Sequence, residues 1–211
     1  MSNNKFKIFV FDTETTGFIN KKETDLEKQP HIIQFAGIFW EIDEEWNFLE
    51  EKGVNILVNP KIPIPFWSSE VHHIYDIDVK KSPYIEEVID EFLSYINSAD
   101  SIIWHNIEYD ESMILLELQR LNRTYDYKPK QVICTMNSTI DFCKLPKRLS
   151  TSPWYKRPKL WELHKKLFWE YFIWAHDAMV DVEATLKCFV EWYKKWIIKL
   201  EQKTENIMSL F

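Results

Sequence analysis

The sequence predicts an α/β domain built around a mixed sheet. The chain has 211 residues, which is about the size of one domain. Apolar residues make up 45% of it and charged residues 28%, a composition typical of folded globular proteins. Short apolar runs typical of buried strands precede and alternate with longer stretches of helical periodicity. This order of elements is typical of an α/β fold.

Five strands are predicted from runs of β-branched and aromatic residues. They cover Lys5–Phe11, Ile32–Ile42, Asn47–Val58, Ser101–His105 and Gln131–Thr135. We expect the first strand to end at a turn over Asp12–Gly17 and the third to be interrupted near Gly53. The short link Asp43–Trp46 predicts a hairpin between the second and third strands.

Five helices are predicted from helical spacing of apolar residues. They cover Ser82–Asn97, Ile107–Leu121, a stretch that follows the fifth strand and ends at about Cys143, Leu160–Trp169 and Asp177–Lys199. Ser82 is expected to cap the first helix, with Pro83 at its first position, and Asn106 is expected to cap the helix that follows it. Pro-containing residues Leu145–Arg157 predict an irregular basic loop.

The glycine and cysteine content argues against several kinds of site. The three glycines form neither the Rossmann nor the P-loop motif, so a glycine-rich phosphate loop is absent. The three cysteines form no C-x-x-C pair, so a disulfide framework or a structural zinc site is not expected. The longest stretch without a charged residue, Gln29–Trp40, is too short to span a membrane. From these features we expect a soluble, intracellular, cytoplasmic protein without a membrane partner.

Positive charge is concentrated in one segment of an acidic chain. The net charge is −7, but Lys144–Lys166 holds eight basic residues and one acid. A basic segment beside an acidic body is typical of a protein that binds a polyanion while metal ions balance its acids. The segment is therefore a candidate contact for nucleic acid.

Acidic residues stand at the ends of three predicted elements. Asp12 and Glu14 follow the first strand, Asp110 lies one turn into a helix, and His176 and Asp181 flank the start of the last helix. In extended backbone, residues i and i+2 face the same side, so Asp12 and Glu14 would repel each other unless a cation lay between them. Paired carboxylate oxygens suit Mg²⁺ or Mn²⁺. Any one of these residues alone is more typical of a solvated turn or a structural histidine.

Together, these residues form an ordered pattern. The motifs are Asp12-Thr-Glu14-Thr-Thr-Gly17, Asn106-x-x-x-Asp110 and His176-x-Ala178-x-x-Asp181, with weaker marks at Ile32–Gly37 and Val71-His72-x-Ile74. In this pattern the chain resembles the DEDDh exonucleases, and within them the proofreading subunit of bacterial DNA polymerase III and its free-standing relatives. It departs from them at His73, where the family often has glycine, and in its unusually basic insert.

The resemblance implies a ribonuclease H-like exonuclease fold, with a central five-stranded mixed sheet and helices on both faces. The resemblance spans about residues 5–190. Since the sequence has no evident linker, we predict one exonuclease domain over residues 1–200, with a basic insert at about 144–166 and a tail at 201–211. The implied activity is 3′→5′ hydrolysis that releases 5′-nucleotides with two divalent cations, Mg²⁺ or Mn²⁺. By resemblance, Asp12, Glu14 and Asp181 hold one ion and Asp12 and Asp110 the other. His176 is the general base.

Further residues are predicted to bind the substrate. Thr15 and Thr16 are candidates to offer backbone N–H groups to the terminal sugar, and Asn106 of the matching motif is a further candidate. By resemblance, His72 lies near the 3′ nucleotide, with a solvent-facing residue at a helix end as the alternative. Phe18 and Trp67 are candidates for stacking on bases, but packing in the core is favoured for each because the chain is rich in aromatic residues. The expected phosphate contacts from the basic insert are Lys147, Arg148, Lys156 and Arg157.

Alternatives to a DNA exonuclease remain open at the level of sequence. The form Asp12–Gly17 favours DNA over RNA. Single-stranded DNA with a free 3′ end is the favoured substrate, and the resemblance implies a role in replication and proofreading. A 3′→5′ exoribonuclease similar to RNase T or oligoribonuclease is the first alternative. A non-catalytic nucleic-acid-binding module is the second, and the full set of acids argues against it.

The chain ends in Ile207-Met-Ser-Leu-Phe211. This end is similar to the short peptide by which bacterial replication proteins bind the sliding clamp, except that Ile207 stands where Gln is usual. Leu210 and Phe211 would be apolar anchors for a clamp, or for a polymerase. Folding back onto the body is the alternative.

Overall fold

A five-stranded mixed sheet forms the centre of the structure, a computed structural model that describes residues 5–43, 48–147, 155–170 and 177–194. Its strands are β1 (Lys5–Thr15), β2 (Ile32–Asp43), β3 (Phe48–Leu57), β4 (Ser101–Trp104) and β5 (Val132–Cys134). The order across the sheet is β3-β2-β1-β4-β5. The pairs β1–β2 and β2–β3 are antiparallel, whereas β1–β4 and β4–β5 are parallel. The predicted mixed sheet is confirmed.

The first strand is longer than predicted. Residues Asp12 and Glu14 pair with Ala36 and Gln34 of β2, and the register shifts only between Glu14 and Thr15. The predicted end at Phe11 is therefore wrong, because the long partner strand keeps the acidic residues in the ladder. Strand β3 also runs without a break through Gly53.

Helices account for most of the remaining described residues. They are α1 (Phe66–His72), α2 (Asp76–Val79), α3 (Ile85–Ser98), α4 (Ile107–Arg120), α5 (Thr135–Ser138), α6 (Ile140–Cys143), α7 (Leu160–Phe168) and α8 (Ala178–Lys194). Helices α1 and α2 were not predicted, since prolines surround them. Among the described residues no helix has the length and apolar character needed to cross a membrane.

Helix α3 begins later than predicted. The Asn59 N–H donates to the Pro83 carbonyl at 2.9 Å, and Asn59 forms a bridge with Tyr84. This pairing keeps residues before Ile85 extended, so the prediction that Ser82 caps the helix is wrong. The Tyr84 N–H instead donates to the Glu87 carboxylate at 2.7 Å.

Both faces of the sheet are covered by helices, as predicted. Alternate residues of β1 point to opposite faces. Phe9 and Phe11 belong to a core with α3 and α4, and Ile8 and Val10 belong to a second core with α8. The C-terminal part of β1 therefore lies between the helices that carry the remaining acids.

Candidate active site

Three acidic residues from two elements converge at the end of β1. Asp12 and Glu14 are on the same side of the strand, and Asp181 lies in the first turn of α8. One carboxylate oxygen from each lies within 4.8 Å of the other two, and all three residues are half-buried. The spacing brings oxygen ligands, which Mg²⁺ and Mn²⁺ prefer, within reach of one ion.

Asp110 is the fourth acid of the site and is 3% exposed. It lies in the first turn of α4, and its Oδ1 accepts hydrogen bonds from the Thr13 N–H at 3.2 Å and the Thr13 hydroxyl at 2.7 Å. Thr13 stands between Asp12 and Glu14 on β1. The two hydrogen bonds therefore fix the α4 acid against the strand that carries the other two.

The acids raise one another's pKa values. Burial, followed by repulsion from neighbouring acids, raises the pKa of Glu14 to about 9 and that of Asp12 well above its usual range. Burial also raises the pKa of Asp110 to about 7, although its bonds from Thr13 oppose the shift. A divalent cation would favour the ionised carboxylates again, so the donor set fits a metal site.

The carboxylates line a cavity of about 550 Å³. The cavity is also lined by Arg157–Trp161, which lie within the basic insert and reach the start of α7. His105 and Asn106, which link β4 to α4, line it as well. Acids and bases thus face a common cleft of the size that small-molecule sites have.

His105 was not among the predicted site residues. Its Nε2 lies 3.0 Å from the Pro158 carbonyl and its Nδ1 lies 3.0 Å from the Thr135 hydroxyl. Because a carbonyl only accepts, Nε2 must carry the proton. Burial lowers the pKa of His105 to about 4, so the ring is neutral near pH 7. It links Pro158 to Thr135 at the start of α5.

Tyr109 is a second residue that sequence reasoning missed. Its hydroxyl donates to the Gly17 carbonyl at 2.6 Å and lies 2.5 Å from the Thr15 hydroxyl. The Thr16 N–H donates to the His31 carbonyl at 2.8 Å. The segment after β1 is thus fixed to α4 on one side and to the start of β2 on the other. Contacts of Thr15 and Thr16 with a sugar stay a prediction.

Phe18 and Trp67 are exposed aromatic side chains beside this segment. They are 80% and 51% exposed, and their rings stack with centroids 5.8 Å apart. The favoured prediction that they pack in the core is therefore wrong. A Cβ on Gly17 would lie 2.9 Å from the Trp67 ring, so glycine permits this close approach.

His72 is buried beneath the same turn. Its Nδ1 accepts from the Ile74 N–H at 3.1 Å, and its Nε2 lies 3.0 Å from the Ser68 hydroxyl. That hydroxyl donates to the Thr15 carbonyl at 2.8 Å. These contacts connect helix α1 to Thr15 at the end of β1. Contact of His72 with substrate stays a prediction.

Two of the described basic residues of the insert are paired with acids. The Lys156 ammonium lies 2.5 Å and 2.7 Å from the two carboxylate oxygens of Glu162. Arg157 forms a two-pronged pair with Glu108, at 3.0 Å and 3.2 Å. Lys147 is exposed. The predicted phosphate contact Arg148 lies outside the described residues.

Two other predictions fall outside the described residues. These are His176, the predicted general base, and the tail Ile207–Phe211. Asn106 is described and exposed, with a left-handed backbone (φ 82°) at the start of α4. No side-chain capping bond is formed by Asn106, so the predicted cap is present only as a backbone position.

A family model matches most of the chain. The model RNase_T, described as an exonuclease, matches residues 9–189. The matched range contains each of the four acids.

Curated relatives are similar over parts of longer proteins. "DNA polymerase III PolC-type" of Caldanaerobacter subterraneus subsp. tengcongensis is 28% identical over 188 residues, covering 88% of this chain and 11% of the relative. "DNA polymerase III subunit epsilon" of Rickettsia conorii is 28% identical over 131 residues, covering 62% of this chain and 52% of the relative. The chain thus spans about a tenth of the first and about half of the second.

Solved structures share the fold. The nuclease domain of 3′hExo, a DEDDh family member bound to rAMP, has a TM-score of 0.68 and 15% identity, with 93% of this chain and 96% of that chain covered. Escherichia coli Exonuclease I in complex with a dA16 oligonucleotide has a TM-score of 0.65 and 16% identity, with 90% and 41% covered. These likenesses confirm the predicted ribonuclease H-like exonuclease fold.

Proposed function

The chain belongs to the RNase_T exonuclease family, and from that premise we propose that it removes 5′-nucleotides from the 3′ end of DNA by metal-dependent hydrolysis. The resemblance to DEDDh exonucleases is confirmed by the family match and the fold. The observation that carries the proposal is the convergence of Asp12, Glu14 and Asp181 within 4.8 Å, with Asp110 bonded to Thr13 beside them.

The four carboxylates suit divalent cations. Asp12, Glu14 and Asp181 would hold one ion, and Asp12 and Asp110 a second, with Mg²⁺ or Mn²⁺ as the ion. Such ions supply charge stabilisation for phosphodiester hydrolysis and lower the pKa of water. Thr13 holds the Asp110 carboxylate in place, so the acid does not have to be ordered when the ion binds.

His176 is the proposed general base. Its place in the sequence, directly before Asp177 and the first turn of α8, supports this role. The Asp181 N–H donates to the Asp177 carbonyl at 2.9 Å, so helical bonding begins with the residue after His176. A neutral imidazole there would accept a proton from the attacking water.

A single-stranded 3′ end is the proposed substrate. The cavity of about 550 Å³ is open beside the acids, and Phe18 and Trp67 offer exposed faces on which bases can stack. Exonuclease I was solved with a DNA oligonucleotide, and curated relatives are DNA polymerase III proteins. A role in proofreading during replication, beside a polymerase, follows as part of the proposal.

RNA is the second candidate substrate, because 3′hExo of the same fold was solved with rAMP. The experiment that decides is degradation of 5′-labelled single-stranded DNA, mismatched duplex DNA and RNA of matched sequence, with Mg²⁺ and with a chelator. We expect fragments that shorten from the 3′ end, fastest on single-stranded DNA, and no reaction with chelator.

Asp12→Asn is the variant for the same assay, with Asp90→Asn, an exposed residue of α3, as its control. We expect the first to lose activity and the second to keep it. Shortening from the 5′ end, or equal activity of Asp12→Asn and wild type, would contradict the proposal. Binding without cleavage under all conditions would favour the non-catalytic module.

Clamp binding through Ile207–Phe211 rests on the sequence alone. A tail of so few residues would bind weakly, at about micromolar Kd. Titration of a bacterial sliding clamp with the full chain and with a form ending at Asn206 tests it. Tighter binding by the full chain is expected, and equal binding by both discards it.

A further inference from the structure

Arg157 links the basic insert to helix α4 beside the cleft. Its guanidinium donates through Nη1 and Nη2 to the two carboxylate oxygens of Glu108, at 3.2 Å and 3.0 Å. Glu108 lies in the first turn of α4, two residues before the buried Asp110. Arg157 lines the same cleft as the acids. The pair therefore ties a lining residue from the basic insert to the helix that carries Asp110.

The Arg157–Glu108 pair is exchangeable, whereas the backbone beneath it is fixed. Both side chains are exposed, and such pairs contribute little to stability. The neighbouring Pro158 is buried and its carbonyl is bonded to His105, while the Lys156 N–H donates to the Leu145 carbonyl at 2.9 Å. The guanidinium can thus change partner without movement of the segment that carries it.

A carboxylate that receives two parallel hydrogen bonds from an arginine has the shape and charge of a phosphate edge. Arginine binds carboxylates and phosphates with the same planar fork. The Arg157 guanidinium therefore offers a site for a singly charged phosphodiester once the carboxylate has left.

We propose that Glu108 occupies, in the protein without nucleic acid, the place on Arg157 that a phosphodiester of the bound strand takes. This inference rests on the proposed function and adds to it. Glu108 becomes a specificity-determining residue, because only a ligand that offers an anion at this place repays the loss of the pair. Nucleobases or nucleosides without a phosphate there gain nothing from Arg157.

The test is a double-mutant cycle on binding rather than on turnover. Wild type, Glu108→Gln, Arg157→Gln and the double variant are titrated with a fluorescein-labelled oligothymidylate in the presence of chelator, over a series of salt concentrations. Glu86→Gln is the control, since Glu86 forms an exposed ion pair with Lys61 and does not line the cleft.

We expect Glu108→Gln to tighten binding about two- to fivefold at low salt, the range set by the small value of an exposed ion pair. Arg157→Gln should lower the slope of log affinity against log salt by about 0.7, the value of one lost phosphate contact on a single strand. In the Arg157→Gln background, Glu108→Gln should change affinity no more than Glu86→Gln does.

Two results would overturn the inference alone. An unchanged salt slope in Arg157→Gln would show that Arg157 touches no phosphate. Equal tightening by Glu108→Gln with and without Arg157 would show simple charge repulsion instead of exchange. Wild type that neither binds the oligothymidylate nor cleaves it with Mg²⁺ would overturn the proposed function as well, so the two failures are distinguishable.

Discussion

Helix α4 buries two acids in opposite surroundings. Asp110 in its first turn is 3% exposed, and Glu117, two turns later, is 1% exposed. Burial raises the pKa of Asp110 to about 7. The pKa of Glu117 is lowered instead, even though burial alone would raise it. The same helix thus carries one carboxylate with its charge balanced by the protein and one without.

Glu117 is balanced by fixed partners. Its Oε1 accepts from the Ile32 N–H at 3.0 Å and lies 3.5 Å from the His31 ring, while its Oε2 lies 2.9 Å from the Arg120 guanidinium. Arg120 also donates to the carbonyls of Leu26, Gln29 and Pro30. This cluster ties α4 to the segment before β2, so its role is structural.

Asp110 has hydrogen bonds but faces other acids. Thr13 donates two hydrogen bonds to Asp110, yet the charge of Asp181 raises the pKa of Asp110. Asp110 in turn raises the pKa values of Asp12 and Glu14. Burial of like charges is costly unless a cation joins them. The difference between the two ends of α4 distinguishes the buried acid that stabilises the fold from the one to which we assign a role in the proposed metal-dependent reaction.

The largest effect is expected from the same chemical change made at each end. Asp110→Asn keeps an oxygen that accepts from Thr13 but removes a metal ligand, so hydrolysis of single-stranded DNA should fall about a thousandfold or more, about 4 kcal/mol of transition-state stabilisation. Glu117→Gln should keep the turnover of wild type per folded molecule. Single-turnover rates with saturating Mg²⁺ measure both.

A wild-type rate for Asp110→Asn would break the comparison, because Asp110 would then be structural too. A thousandfold loss of the rate in Glu117→Gln, with the protein shown to be folded by circular dichroism, would also contradict the comparison, because Glu117 would then be needed for the reaction. Either result would remove the distinction drawn between the two acids.

The second effect concerns stability. Glu117→Gln leaves the Arg120 charge buried without its partner, so the free energy of unfolding should fall by about 3 kcal/mol. Asp110→Asn relieves repulsion, so metal-free protein at pH 8 should become more stable than wild type. Urea denaturation with chelator measures both, with Asp90→Asn as an exposed control. Changes of the same sign in the two variants would contradict this prediction.

The sequence predicted the two ends of α4 unequally. Asp110 was found because it stands in a motif together with Asp12, Glu14 and Asp181. Glu117 was not distinguished, because its i,i+3 pair with Arg120 has the spacing of an ordinary ion pair on a helix surface. Its other partners, His31 and Ile32, lie about 85 residues away in the chain. Pairing across that distance depends on the tertiary fold and leaves no local spacing in the sequence.

The sheet was predictable and the cleft only in part. Apolar runs located all five strands, whereas the end of β1 was missed because its register against β2 decides it. His105 and Tyr109 were missed because each acts through a backbone carbonyl, of Pro158 and Gly17, which any residue offers. Such contacts depend on where the backbone lies, and no motif records them.

The smallest effect is the dependence of stability on pH and metal. The change of stability with pH has opposite signs for Asp110 and Glu117. Glu14 and Asp110 have pKa values of about 9 and about 7 in the fold, above their usual values. The folded protein therefore binds more protons than the unfolded chain over this range, and metal-free stability should fall as pH rises from about 5 to 9. Glu117, with its lowered pKa, contributes stability above its unfolded pKa that is lost only on acidification.

Thermal or urea unfolding of the full chain at several pH values, with chelator and with Mn²⁺, measures this dependence. At a Mn²⁺ concentration about 100 times its Kd, the ion should add about 2.7 kcal/mol and flatten the alkaline decline, because it replaces the missing positive charge. Asp110→Asn should show a shallower decline and a smaller gain from Mn²⁺, whereas Glu117→Gln should keep both at their wild-type size. An alkaline decline that Mn²⁺ leaves unchanged would mean that the acids of the cleft do not hold the ion, and the contrast between the two ends of α4 would then lose its functional meaning.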